Sequence, residues 1–335
     1  MNKEEFRLNA VIDRFRGKRI AVWGDFILDE YLIGTTRRIS REAPVLIISY
    51  TKKEPTPGGA GNSLLNLKSL GAEPIPIGVI GRDEAGDQIL DILRGCRIST
   101  RFLIRDESYS TPIKTRILAG EENTRKQQIL RIDKEGRVPE TTSLKRQIQS
   151  ALGRAKDSCS ALLISDYHYM TVQEDIFGAV LPLYRKARIP VTLDSRFRFL
   201  SFKRVTVATP NEPEAEAAYH QEIGGRDEAV EEAGKSLLRK LGSSALLITR
   251  GSRGMALFEK GKPPIFIPIR GSADIVDVTG AGDTVISVFT LCLAAGASFR
   301  DAANLANAAG GIVVMKKGTA TVSPGELRKT VDSSP

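Results

Sequence analysis

The sequence is poor in the residues that build metal centres and covalent frameworks. It holds three cysteines, Cys96, Cys159 and Cys292, and two histidines among 335 residues. The cysteines lack metal-ligand spacing and sit among apolar or helical neighbours, the setting of buried free thiols rather than of a disulfide framework. So few histidines and cysteines leave no expectation of an all-protein zinc centre. Long apolar runs are missing too. No stretch approaches the roughly 18 uncharged apolar residues of a spanning helix, and the N-terminal segment lacks the apolar core and small-residue cleavage site of a secretory signal. A cytoplasmic protein with no membrane partner is expected. Internal repeats and low-complexity segments are absent, and only Asp332 to Pro335 read as a loose tail.

What is present is a globular composition, 41% hydrophobic and 27% charged, with a formal charge of +9. That balance fits one large domain, or one domain with a small appendage. The basic residues are dispersed rather than massed in a tract, and none of the common nucleic-acid motifs occurs, so no nucleic-acid partner is expected. Phosphorylated small molecules account for the same charge.

Short apolar runs, Arg19 to Gly24, Ile75 to Ile80, Ala161 to Ser165, Val191 to Leu193 and Ala245 to Thr249, alternate with segments of helical period. This alternation predicts an α/β fold with a mostly parallel sheet and helices on its faces. Asp25, Asp166 and Asp194 follow strand ends, and ligands bind beyond the carboxyl ends of such strands. Residues 33–50 and 113–133 break the pattern. They are rich in β-formers without intervening helices, and predict either a small sheet lying over the crevice or edge hairpins of the main sheet.

The strongest chemical signal is Asp277-Val278-Thr279-Gly280-Ala281-Gly282-Asp283, followed by an apolar helix expected from about Thr284 to Ala295. The glycines let backbone N–H groups approach an anion, and the helix that starts there adds the positive end of its dipole. Asp283 then stands where it can take a proton from an attacking hydroxyl, or simply cap the helix. Pro57-Gly58-Gly59-Ala60-Gly61-Asn62 runs into a second helix, expected over Ser63 to Leu70. Its two glycines suit a hinge that also gives a sugar room against the backbone, and Asn62, Asp25 and Asp29 offer polar groups to a polyol.

On these two motifs the chain resembles the ribokinase-like (phosphofructokinase B) sugar-kinase family, whose second signature is Asp-Thr-Xaa-Gly-Ala-Gly-Asp. The resemblance implies a three-layer ribokinase-like fold of one domain with a small β-sheet lid. It also implies ATP as co-substrate, Mg²⁺, and a homodimer with paired lids. By the same resemblance Asp283 is the catalytic base and Gly280, Ala281 and Gly282 form the anion hole. Gly58, Gly59, Asn62, Asp25 and Asp29 would hold the sugar. Thr209-Pro210-Asn211-Glu212-Pro213-Glu214 resembles the family's Asn-Xaa-Xaa-Glu motif, so Asn211 and Glu214 are expected to hold Mg²⁺ through water. Thr249, Gly251, Gly254, Thr279 and Asn307 are implied at the nucleotide.

Within the family, Gly34 to Val45, Lys126 to Asp133 and Gly318 to Pro324 are similar to the branch that phosphorylates D-glycero-D-manno-heptose 7-phosphate. A phosphorylated acceptor gives a role to Arg37, Arg38, Lys114, Arg116 and Arg131, because guanidinium groups pair bidentately with phosphate oxygens. Two places depart from that branch. Asp166-Tyr167-His168-Tyr169-Met170 stands where Asp-Tyr-Gly-Lys-Gly is usual, and Asp194-Ser195-Arg196 where Pro-Lys commonly follows the aspartate. Enzymes of that branch often carry a second, nucleotidyltransferase domain, and with the sequence ending soon after Pro324, adenylyl transfer is expected from another polypeptide. The competing readings are a kinase for another sugar, sugar phosphate or nucleoside, and a non-catalytic sensor or nucleic-acid-binding regulator on the same fold.

Overall fold

The computed structural model describes residues 3–122, 124, 126–270 and 276–333. In chain order the strands are β1 (Arg19–Gly24), β2 (Phe26–Ile39), β3 (Leu46–Gly59), β4 (Glu73–Gly81), β5 (Leu103–Asp106), β6 (Ile113–Gly120) and β7 (Gln127–Lys134). They continue with β8 (Ala161–Asp166), β9 (Val191–Ser195), β10 (Val207–Ala208), β11 (Ala245–Thr249), β12 (Met255–Glu259) and β13 (Ile265–Ile267).

Nine strands form one sheet in the order β13-β12-β11-β10-β9-β8-β1-β4-β5. From β11 to β5 every neighbour is parallel, and β12 and β13 add an antiparallel edge. Parallel strands must be covered on both faces, and their near-continuous apolar runs serve both. On β1, Ile20 and Val22 enter one core while Ala21 and Trp23 enter the other. The first core is closed by α1 (Lys3–Asp13), α2 (Ala60–Ser69) and α3 (Glu84–Gly95). The second is closed by α4 (Thr142–Lys156), α5 (Glu174–Lys186), α6 (Glu212–Tyr219) and α7 (Asp227–Leu241). Helices α8 (Ala281–Ala294), α9 (Phe299–Val313) and α10 (Pro324–Asp332) return to the first face. The three layers are those expected of the sequence.

The separate lid is a four-stranded sheet in the order β3-β2-β6-β7. It is larger than residues 33–50 and 113–133 suggest. β2 begins at Phe26, directly after β1, and β3 runs on to Gly59, with Asp29 paired to Thr56 and Phe26 to Gly59. Acidic Asp29 and Glu30 interrupt the apolar pattern there and hide the strand. The edge-hairpin alternative does not hold, because these strands pair only with one another. At the other end of the chain, Asp332 belongs to α10 rather than to a loose tail.

Candidate active site

A cavity of about 670 Å³ opens where the carboxyl ends of β8, β9 and β11 meet the N-terminus of α8 beneath the lid. Asp283 lies in the first turn of α8, which starts at Ala281 rather than at Thr284. Gly280 takes a left-handed φ of 75° at the N-cap, a turn that glycine makes without steric cost. The Ala281 N–H donates to the Val278 carbonyl at 3.2 Å, so the Gly282 and Asp283 N–H groups and the helix dipole are what favour an anion there.

The Asp283 carboxylate is held on both oxygens. Asn62 Nδ2 donates to Oδ2 at 3.0 Å and also to the Gly280 carbonyl at 3.3 Å, while the Tyr167 hydroxyl donates to Oδ1 at 3.0 Å. Burial raises the Asp283 pKa to about 6, against the lowering effect of those two hydrogen bonds. Such a carboxylate can accept a proton near neutral pH. Asn62 is in α2, which begins at Ala60 and not at Ser63, and its amide turns to Asp283, outside the cavity lining. Asn66 Nδ2 in turn donates to Asn62 Oδ1 at 3.2 Å, which fixes the amide's orientation.

Asp25 does not reach the cavity. Its carboxylate accepts the backbone N–H groups of Tyr167, Tyr169 and Thr171 at 2.8, 3.1 and 3.0 Å, and burial, with Asp166 nearby, raises its pKa to about 6. It therefore shapes the loop that presents Tyr167, together with Trp23, whose indole N–H donates to the Thr171 carbonyl. In that loop His168 and Met170 have φ of 69° and 72°. These are the two positions where the resembling branch has glycine, the residue that takes a positive φ without steric cost. The three amide bonds to Asp25 offset the strain.

The lid brings Asp29, Lys114, Arg116 and Arg131 to the cavity. Arg116 forms a buried ion pair with Asp29, and Arg131 grips Asp133 with Nε and Nη2 at 2.9 and 3.0 Å. Burial raises the Asp29 pKa although Arg116 works against it, while Asp29 raises that of Arg116 against its own burial. A guanidinium stays protonated, so the pair is charged. Arg37 is exposed at the pairing irregularity between Thr36 and Arg38, outside the cavity, and Arg38 is exposed beside it.

On the opposite wall Asn211 and Glu214 form a capping box on α6. Asn211 Oδ1 accepts from Glu214 N–H at 2.8 Å, and Glu214 Oε2 accepts from Asn211 N–H at 2.9 Å. Both still line the cavity, with Asp194. Burial, then Glu214 and Asp283, push Asp194 well up, and burial likewise raises Glu214. Arg196, in the same cavity, works against these rises. The described residues hold no cluster of three or more His, Cys, Asp or Glu placed to hold a metal ion.

Thr249, Gly251, Thr279, Gly280, Gly282 and Gly59 line the cavity. Gly58, Ala281, Gly254 and Asn307 do not. Gly58 backs onto the Asp29 carboxylate. Gly254 closes the turn between β11 and β12. Asn307 donates Nδ2 to the Pro268 carbonyl at 2.7 Å. Asp194 and Asp166 line the cavity, as their strand-end positions predict. The sequence reading named Tyr167 and Arg196 only as departures from the family pattern and missed them as cavity residues.

A cavity at the strand ends, an apolar-set carboxylate at a helix N-terminus and a cationic lid define a class of phosphate-handling α/β enzymes. The family profile "pfkB family carbohydrate kinase" matches residues 18–325, and the chain belongs to that family. "Bifunctional protein HldE" of Geobacter sulfurreducens is 40% identical over 307 residues, 91% of this chain. The chain spans 61% of that relative's length, and 65% of the corresponding protein of Geobacter metallireducens. Two solved structures share the fold. Arabidopsis thaliana ribokinase complexed with ribose and ATP has a TM-score of 0.71 at 22% identity, covering 95% of this chain and 100% of that one. Phosphofructokinase-2 from Escherichia coli in complex with fructose-6-phosphate has 0.74 at 17%, covering 94% and 98%.

Left-handed backbone at a non-glycine residue is strained, and the His168 side chain is exposed. His168→Gly should therefore raise stability by about 1 kcal/mol. Urea denaturation at equilibrium reads this directly, and an unchanged or lower midpoint would show that the loop is not strained there.

Proposed function

We propose that the chain phosphorylates the anomeric hydroxyl of D-glycero-D-manno-heptose 7-phosphate with ATP. The observation that carries the chemistry is Asp283, buried at the N-terminus of α8 with both oxygens held and its pKa raised to about 6. The acceptor hydroxyl gives its proton to Asp283 as its oxygen bonds to the γ-phosphorus. The bond from that phosphorus to the β–γ bridging oxygen breaks, and ADP leaves. The N–H groups at the start of α8 stabilise the charge on the group in flight. Asn211 and Glu214, with Asp194 beside them, are the residues that would hold hydrated Mg²⁺. When bound, the ion neutralises the nucleotide phosphates. The lid sequence blocks that resemble the heptose 7-phosphate branch support the choice of acceptor.

Of the lid arginines, Arg131 is the one placed to take the acceptor's own phosphate. Its Asp133 partner is near the surface and exchangeable, whereas Arg116 is committed to buried Asp29. The lid also exposes Ile39, Leu46, Tyr50, Leu130 and Ile132, an apolar set that a second copy of the chain would cover. We read the protein as a homodimer through its lids, and sedimentation equilibrium that returns a monomer would remove that reading.

Asp283→Asn keeps the shape and removes the base, so turnover should fall by roughly 10² to 10⁴-fold with ATP binding near normal. Near-unchanged turnover would exclude Asp283 as the base. Arg131→Ala should weaken the phosphorylated acceptor by about 1.5 to 3 kcal/mol and leave ATP and an unphosphorylated sugar unaffected. Equal losses for both sugars would instead give Arg131 a role in the lid's structure.

A further inference from the structure

Tyr167 stands where the base meets the cations. Its hydroxyl donates to Asp283 Oδ1 at 3.0 Å. Its ring centroid lies 5.2 Å from Lys114 Nζ and 5.5 Å from Arg196 Cζ. Lys114 comes from β6 in the lid and Arg196 from the turn after β9 in the body, so lid and body present their charges over one ring. The other cations near the cavity are spoken for. Arg116, Arg131 and Arg198 are paired with Asp29, Asp133 and Asp166, whereas neither Lys114 nor Arg196 is in an ion pair among the described residues.

Two cations facing one ring, neither held in an ion pair, are placed to share an anion between lid and body. Burial and then Arg196 lower the Lys114 pKa, while Asp29 and Asp133 raise it, so Lys114 feels both signs. The Asp283 carboxylate, for its part, has two acceptor positions on each oxygen. With Asn62 on one oxygen and Tyr167 on the other, the carboxylate cannot rotate, and a free position is kept for an incoming proton.

We propose that Tyr167 is a positioning residue that fixes the proton-accepting carboxylate of Asp283, and that Arg196 and Lys114 hold the phosphoryl group under transfer beside the same ring. This rests on the kinase reading above. An anion bridging the two cations draws the lid onto the body, and through the Tyr167 phenol it sets the base at the same moment.

The test is the pH dependence of kcat/KM for the intact chain with ATP, Mg²⁺ and the phosphosugar. Wild type should lose activity as pH falls through about 6, because Asp283 must be deprotonated to act. Tyr167→Phe removes a hydrogen bond that favours the charged carboxylate, so its acidic limb should move up by about half a pH unit or more, with kcat down about 10- to 100-fold. A purely structural tyrosine would lower kcat without moving the limb, and that result overturns the inference. Arg196 is exposed, so Arg196→Gln leaves folding aside. It should lower kcat by a similar factor and Arg196→Lys should restore part of it, whereas wild-type kcat in Arg196→Gln overturns the phosphoryl role. A wild-type profile with no acidic limb would instead fail the base itself, and the inference with it.

Discussion

The hydrogen bonds on the two oxygens of Asp283 are the contacts on which the rest of the site depends. Asn62 arrives from α2 and Tyr167 from the loop after β8, separated from Asp283 by 221 and 116 residues of sequence. Neither partner is placed by local sequence. Asn62 is oriented by Asn66 one turn along α2, and α2 packs on α8 in the same core. Tyr167 is presented by a loop whose amides close on Asp25 and whose far end is tied to Trp23. The Asp283 carboxylate is thus fixed by the packing of the whole parallel sheet.

Around Asp283 the carboxylates lie mostly on the body and the cations mostly on the lid. The body contributes Asp194, Glu214 and Asp283, all raised by burial, with Arg196 among them working the other way. The lid contributes cations, with one buried pair between Arg116 and Asp29 to hold its own strands in register. A divalent cation with a polyphosphate satisfies both walls at once, the first by neutralising carboxylates and the second by neutralising lysine and arginine.

Much of the fold was legible because parallel strands write themselves as continuous apolar runs, as at Ala161 to Ser165 and Ala245 to Thr249. The glycine motif before Asp283 was legible for a similar reason, since few other sequences turn so tightly into a helix. The lid's start was not, because Asp29 and Glu30 sit inside β2 where the pattern calls for apolar residues. Side-chain direction was equally hidden. Asp25 and Asp29 look alike in sequence, yet one turns under a loop and the other faces the lid cations. Tyr167 and Arg196 were seen only as departures from a family pattern. Their roles need the distances to Asp283 and to each other, which no local spacing encodes. His168 and Met170 carry the opposite lesson: they hold a positive φ at the two places where the family pattern has glycine.

The account is tested most directly by ³¹P NMR of the products formed from ATP and D-glycero-D-manno-heptose 7-phosphate. It predicts ADP and a new phosphate resonance coupled to the anomeric proton, with the original phosphate retained. ATP hydrolysis to inorganic phosphate without a new sugar phosphate, or transfer to a different hydroxyl, would contradict it.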